Sequence, residues 1–243
     1  MSEIQLSQLV NSILKETNHA ANPYFKSLQD GSFSKDDFVE TQIQFYWAVV
    51  FFSRPMAALA AKIPTPELRL EIIRNVWEEH GEGSLTRVHG TTFCELLSRL
   101  SGVQPDAIHS RSLWPEVRAF NTLPTGVCVL DVYLTVVALM GIIERMFADI
   151  SSWIGRGIVN RQWLTNEQMI HYSLHEELDV KHSQDFFDIL EKSWEHSLED
   201  RYAIEQGLRL GAYAFNNLYT GLYQARSRRS SRAVRGMHSR AEG

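Results

Sequence analysis

The sequence predicts an all-α protein, a helical bundle of about seven helices, and three observations carry that expectation. Apolar residues recur at helical spacing along most of the 243 residues, while alternating, strand-like patterns are scarce. Short Pro- and Gly-containing connections join the segments, with the lengths that neighbouring helices in a bundle use. The stretch from Val127 to Trp153 is nearly all apolar, as the central helix of a bundle must be.

The elements follow in order. A first helix is expected over Ile4 to Asn18, then a connection through Asn22-Pro23-Tyr24-Phe25 and a turn at Asp30-Gly31-Ser32. Ser34 ahead of Lys35-Asp36-Asp37 is a capping arrangement, and it opens an aromatic-rich helix reaching Arg54, where Pro55 kinks or restarts the chain. Pro64-Thr65-Pro66 separates it from a helix over Glu67 to Glu79, and Gly81 and Gly83 break the chain before another over Leu85 to Leu100. A loop with Gly102, Pro105, Pro115 and Pro124 leads to the central helix. Two more helices, Asn166 to Trp194 and Leu198 to Tyr223, complete the bundle, the last with an apolar stripe of Leu208, Ala212, Phe215, Tyr219 and Leu222. No linker or internal repeat divides the chain, so residues 1–225 are expected to form one domain. Residues 226–243 carry six arginines and few apolar residues, and are expected to be a basic, disordered tail.

Composition narrows the function. With 24 basic against 29 acidic residues, the fold has no electrostatic reason to seek nucleic acid or a membrane surface. Cys94 and Cys128 are the two cysteines, which supply neither a disulfide framework nor a thiolate zinc motif, and a reducing cytoplasm is the expected setting. The start, Met-Ser-Glu-Ile-Gln-Leu-Ser-Gln-Leu-Val, lacks the pattern of a signal peptide. The apolar run Trp47 to Phe52 is short and is interrupted by Ser53 and Arg54. A small-molecule substrate is the expected partner, with a homo-oligomer open.

Three segments carry chemistry. His175, Asp179 and His182 lie four and three residues apart, within about 60° of helical arc, so two imidazoles and a carboxylate share one stripe. Such a nitrogen and oxygen set suits iron, manganese or zinc, although single histidines on helices usually sit on a solvated face. Glu144 is the first charge after ten uncharged residues, with Val137, Met140, Gly141 and Ala148 as its helical neighbours. A carboxylate in such a place needs a compensating cation, either a basic side chain such as Arg145 or a metal. The third segment, Trp77-Glu78-Glu79-His80-Gly81-Glu82-Gly83-Ser84-Leu85-Thr86-Arg87-Val88-His89, is dense in acids and histidines and has two glycines to bend around something. In a continuous helix Glu82 shares a face with His89, while Glu79 lies about 80° away.

Di-metal carboxylate bundles commonly use two Glu-x-x-His motifs, and this chain has none at the expected places. Its order, Glu…His…Glu…His-x-x-x-Asp-x-x-His, resembles instead the haem-oxygenase-like di-metal oxidases. These include the chlamydial death-domain-associating protein, and the fold also serves iron-containing redox enzymes and pyrroloquinoline-quinone-synthase-like proteins. The resemblance runs from Asn22-Pro23-Tyr24-Phe25 to His182, and the 31-residue interval from Glu144 to His175 fits it. It implies a haem-oxygenase-like bundle with metal ligands at Glu79, His89, Glu144, His175, Asp179 and His182, and with Glu78 and Glu82 as alternatives for the first carboxylate. It also implies two iron ions, or an iron–manganese pair, with dioxygen as co-substrate. Three carboxylates then offset most of the charge of two Fe(II) ions, leaving about +1.

Oxidative cleavage, desaturation and oxygenation are the reactions the resemblance implies. An extra carboxylate goes with N-oxygenation in the group, and Gln42 to Met56 contains no acid. Tyr46, Trp47, Phe51, Phe52, Tyr213 and Phe215 are candidate pocket walls, each of which also reads as plain core. Two competing readings remain. One is a metal-free enzyme of the same fold, of the quinone-cofactor-synthase or thiaminase-like kind, with Cys128 as a thiol activated at the start of the central helix. The other is a non-enzymatic helical interaction protein.

Overall fold

The computed structural model describes residues 5–229, except for the side chains of residues 173–180. The described residues are all-α, with ten helices: α1 (Leu6–Thr17), α2 (Pro23–Asp30), α3 (Lys35–Lys62), α4 (Pro66–Glu79), α5 (His89–Ser101), α6 (Pro105–His109), α7 (Pro115–Leu130), α8 (Tyr133–Asn160), α9 (Tyr172–Trp194) and α10 (Leu198–Gln224).

The excess over seven helices has local causes. Pro23, Pro105 and Pro115 each stand at the first helical position, where a missing N–H costs nothing, so they start α2, α6 and α7 instead of marking loops. Asn22 caps α2 by accepting the Tyr24 N–H at 3.0 Å, and its amide donates to the Asn216 carbonyl at 2.9 Å, which pins α2 to α10. Pro55 lies inside α3 and Pro124 inside α7, and both helices continue through them. The expected Val127 to Trp153 helix is divided: α7 ends at Leu130, Asp131 and Val132 are extended, and α8 begins at Tyr133. In the same way α5 begins at His89, not Leu85, and α9 at Tyr172, not Asn166.

Helix α8 is the axis of the bundle and packs most extensively on α9 and α10. Close approach depends on glycine. Gly207 faces Thr135 and Ala138, and Gly211 faces Leu139 and Ile142, so α10 runs parallel to α8 with their backbones nearly touching. Gly141 faces Phe186 while Gly155 faces Tyr172, which makes α9 antiparallel to α8. At 28 residues α3 is long and apolar enough to span a bilayer, yet it buries Glu40, Thr41, Gln42 and Gln44 and packs on α4, α5 and α7, as a core helix does. Of the tail, Arg228 pairs with Glu116 at 3.0 Å and Arg229 with Asp37 at 2.5 Å; residues 230–243 lie outside the described residues.

Candidate functional site

Glu79 is the last residue of α4 and His89 the first of α5, and the chain between them is folded back sharply. Gly81, Glu82 and Gly83 have φ of 64°, 52° and 85°, three left-handed residues in succession. Gly81 has no room for a side chain, since a Cβ would stand 2.6 Å from the backbone of Arg87 and Val88. The turn brings Glu79 Oε1 to 2.9 Å from His89 Nδ1, both groups nearly buried. Glu82 instead points outward and pairs with Arg87 at 3.2 Å, because the helix that would have aligned it with His89 ends at Glu79. Gly81→Ala is expected to lower stability by roughly 1–3 kcal/mol, measured by urea unfolding, and to separate Glu79 from His89.

Glu79 and His89 line a cavity of about 50 Å³, together with Glu144 and His171. One water needs roughly 10–15 Å³ in such terms, so the space admits a few small groups. Its walls are Phe45, Ala48, Val49 and Phe52 of α3, Phe120 of α7, Ile143 and Phe147 of α8, and Phe215 of α10. Of the expected wall residues, Phe52 and Phe215 line it. Tyr213 is 65% exposed, and Tyr46 packs elsewhere with its hydroxyl 3.1 Å from His109 Nε2. Trp47 and Phe51 are not among the lining residues. The inward face of α3 is thus displaced toward Phe45, Ala48 and Val49. Glu144 is 4% exposed, and its neighbour Arg145 turns away to Asp149 at 3.0 Å, so of the two alternatives for Glu144 the pairing with Arg145 does not occur.

His171 is a residue that the sequence reasoning passed over. It is fully buried, stands immediately before α9, and holds its Nδ1 3.1 Å from Thr92 Oγ1. Thr92 donates its one hydroxyl proton to the His89 carbonyl at 3.0 Å, so His171 Nδ1 is the donor in the other bond. The signal was present: His171 lies four residues before His175 and extends the stripe by a turn.

Behind this layer runs a buried hydrogen-bonded chain. Tyr172 donates to Gln42 Oε1 at 2.5 Å, Gln42 Nε2 donates to Tyr24 Oη at 2.6 Å, and Tyr24 lies 2.8 Å from Thr41 Oγ1. Burial pushes both phenols well above the ordinary tyrosine range, so they stay neutral and the chain is a rigid support for α9 beside His171. Tyr172→Phe leaves a buried amide oxygen without its donor, and is expected to cost about 1–3 kcal/mol, read as a lower Tm.

His182 is 1% exposed on α9, and its Nε2 lies 2.5 Å from Glu78 Oε2. His175 and Asp179 fall within the span of α9, but their side chains lie outside the described residues. Among the described residues the potential ligands meet as pairs, and no group of three or more His, Cys, Asp or Glu converges. Cys128 lies in the last turn of α7, not at the start of the central helix. Its thiol donates to the Pro55 carbonyl at 3.4 Å, and burial, partly opposed by Lys62, pushes it above the ordinary thiol range. The expected activation by a helix N-terminus therefore does not apply.

Residues 39–216, most of the chain, match the family of iron-containing redox enzymes. The chain belongs to that family. The matched span takes in Glu79, His89, Glu144, His171 and His182. No curated protein matches this family member. Among solved structures it is similar to a domain of unknown function with a haem-oxygenase-like fold from Shewanella denitrificans, at 14% identity and a TM-score of 0.76, covering 92% of this chain and 94% of that one. A TenA homologue from Pseudomonas syringae pv. tomato has 16% identity and a TM-score of 0.72, with 90% and 92% covered. A CADD-like protein of unknown function from Nostoc punctiforme has 16% identity and a TM-score of 0.68, with 90% and 96% covered. The fold is therefore haem-oxygenase-like, as the sequence led us to expect.

Proposed function

We propose that the protein is an oxygen-activating non-haem di-iron oxidase acting on a small organic molecule. The observation that supports this reading is the cavity lined by Glu79, His89, Glu144 and His171 within an otherwise apolar wall. The donors fit iron: carboxylate and imidazole without thiolate, buried at a place where carboxylates are costly unless a cation offsets them. Glu79, His89 and Glu144, with His175, Asp179 and His182, would hold the two ions.

Bound iron would supply the capacity to reduce dioxygen at the expense of a substrate. The chain's own residues do the rest. Phe45, Phe52, Phe147 and Phe215 exclude water from the polar floor and favour an apolar substrate portion. Thr92 orients His171 beside the carboxylates of the cavity. Gly81 to Gly83 hold Glu79 and His89 in register.

The test is iron stoichiometry by elemental analysis after anaerobic loading with Fe(II), followed by oxygen consumption. About two irons per chain with oxygen uptake is the expected result. In the same assay His182→Ala is expected to lose at least one iron, while His196→Ala, on an exposed residue beyond α9, keeps both. Equal iron in the two variants would remove His182 from the set. A wild type without iron would turn attention to a metal-free enzyme of this fold, and Cys94 and Cys128 would then be tested, though neither lines the cavity among the described residues.

A further inference from the structure

Glu78 and Glu79 are consecutive on α4 and point about 100° apart. Glu79 turns to His89, and Glu78 turns to α9, where it meets His182 Nε2 at 2.5 Å and has its other oxygen 3.9 Å from Lys181 Nζ. His182 is 1% exposed, and its other nitrogen, Nδ1, is buried with no hydrogen-bond partner among the described residues. These two facts concern opposite edges of one ring, and together they set its chemistry.

A neutral imidazole has one N–H and one lone pair, and an ionised carboxylate can only accept. The short contact with Glu78 therefore places a proton on Nε2, and in a neutral ring the lone pair is then on Nδ1. A buried lone pair without a donor is unfavourable, and a metal ion is one group that satisfies it. Carboxylates that grip the outer nitrogen of a metal-binding histidine fix its tautomer, orient the ring and raise its basicity. Lys181 beside the outer oxygen offsets the charge of Glu78, which is itself only partly exposed.

We propose that Glu78 is a positioning residue: it holds His182 in the Nε2–H tautomer, so that Nδ1 is the nitrogen that would bind iron. The proposal rests on the reading of His182 as a ligand given above. It makes the adjacent acids of α4 different in kind, Glu79 facing the cavity directly and Glu78 acting through His182.

The experiment compares wild type, Glu78→Gln and Glu78→Ala in two measurements. The first is the ¹H–¹⁵N spectrum of the histidine rings in metal-free protein, with the His182 signals assigned by their loss in His182→Ala. The second is the affinity for Fe(II) under anaerobic conditions, with circular dichroism as the check on folding. Wild type is expected to show His182 as the Nε2–H tautomer, and Glu78→Ala to lose that preference and to bind one of the two irons about 10–100-fold more weakly. Glu78→Gln keeps the size and an acceptor oxygen, and is expected to restore most of both. An Nδ1–H tautomer in the wild type would overturn the proposal, as would unchanged iron affinity in Glu78→Ala. If Gln and Ala abolish one iron site equally while the tautomer is unaffected, Glu78 is a ligand and the proposal fails. A wild type that binds no iron overturns the di-iron reading and the role of Glu78 with it, and the ring spectrum then reports the Glu78–His182 contact alone.

Discussion

Glu144→Gln is expected to fold like the parent and to bind no more than one iron per chain, with oxygen consumption falling by more than the roughly 10–100-fold that loss of a group merely bonded to a ligand costs. Glutamine has the same size, so the walls of Ile143, Phe147 and Phe215 keep their packing and the change is one of charge. Arg145→Ala is the contrasting variant. Its guanidinium is committed to Asp149 at 3.0 Å on the half-exposed side of α8, so its loss is expected to cost at most about 1 kcal/mol and to leave the iron content unchanged. Elemental analysis of the two purified variants decides the matter. Iron lost in Arg145→Ala and kept in Glu144→Gln would reverse the assignment and return Glu144 to an ordinary buried carboxylate.

Gly207→Val is expected to be the most damaging substitution outside the cavity. A Cβ at Gly207 would overlap the carbonyl oxygen of Thr135 and lie 2.8 Å from the Ala138 Cβ. The backbone of α8 cannot swing aside as a flexible side chain can, so α10 must lift away from the axis of the bundle. Overpacking of this kind costs about 3 kcal/mol or more, and at this chain length Tm falls by roughly 2–4 °C for each of them. Gly126, inside α7, has nothing within 4 Å of its missing Cβ, and Gly126→Ala there is expected to stabilise by about 0.4–1 kcal/mol. Thermal unfolding of both variants checks the pair. Similar shifts in the same direction would mean that the α8–α10 contact is less tight than the backbone spacing indicates.

Much of the bundle was legible in the chain, and the misreadings are instructive. Helical periodicity located α1, α4 and α10 within a few residues, and the start but not the end of α3, because a helix that buries one face carries its pattern locally. Proline misled in both directions. At Pro23, Pro105 and Pro115 it began helices, and at Pro55 it sat inside one that tertiary packing carried through. The break at Asp131 was hidden for the opposite reason: apolar residues on both sides of it, Val129, Leu130 and Val132, read as core but are exposed. An apolar run states that residues can be buried, and not whether a neighbouring helix is there to cover them.

For the candidate site, the sequence by itself determined which residue types were at hand and which of them share a helix. The stripe with His182, the acid in the apolar central helix and the acid-rich bend before His89 all follow from spacing, since helical geometry is local. Only the tertiary structure decided where Glu78, Glu79 and Glu82 each point. This depends on three left-handed residues that direct Glu82 to Arg87 and Glu79 to His89, and on α9 lying where Glu78 can reach His182. It likewise brought in His171, whose role comes from Thr92 on another helix, and it moved Cys128 from the head of one helix to the foot of another. Spacing along one helix is set by the backbone, whereas contacts between helices are set by packing, which no short stretch of sequence contains.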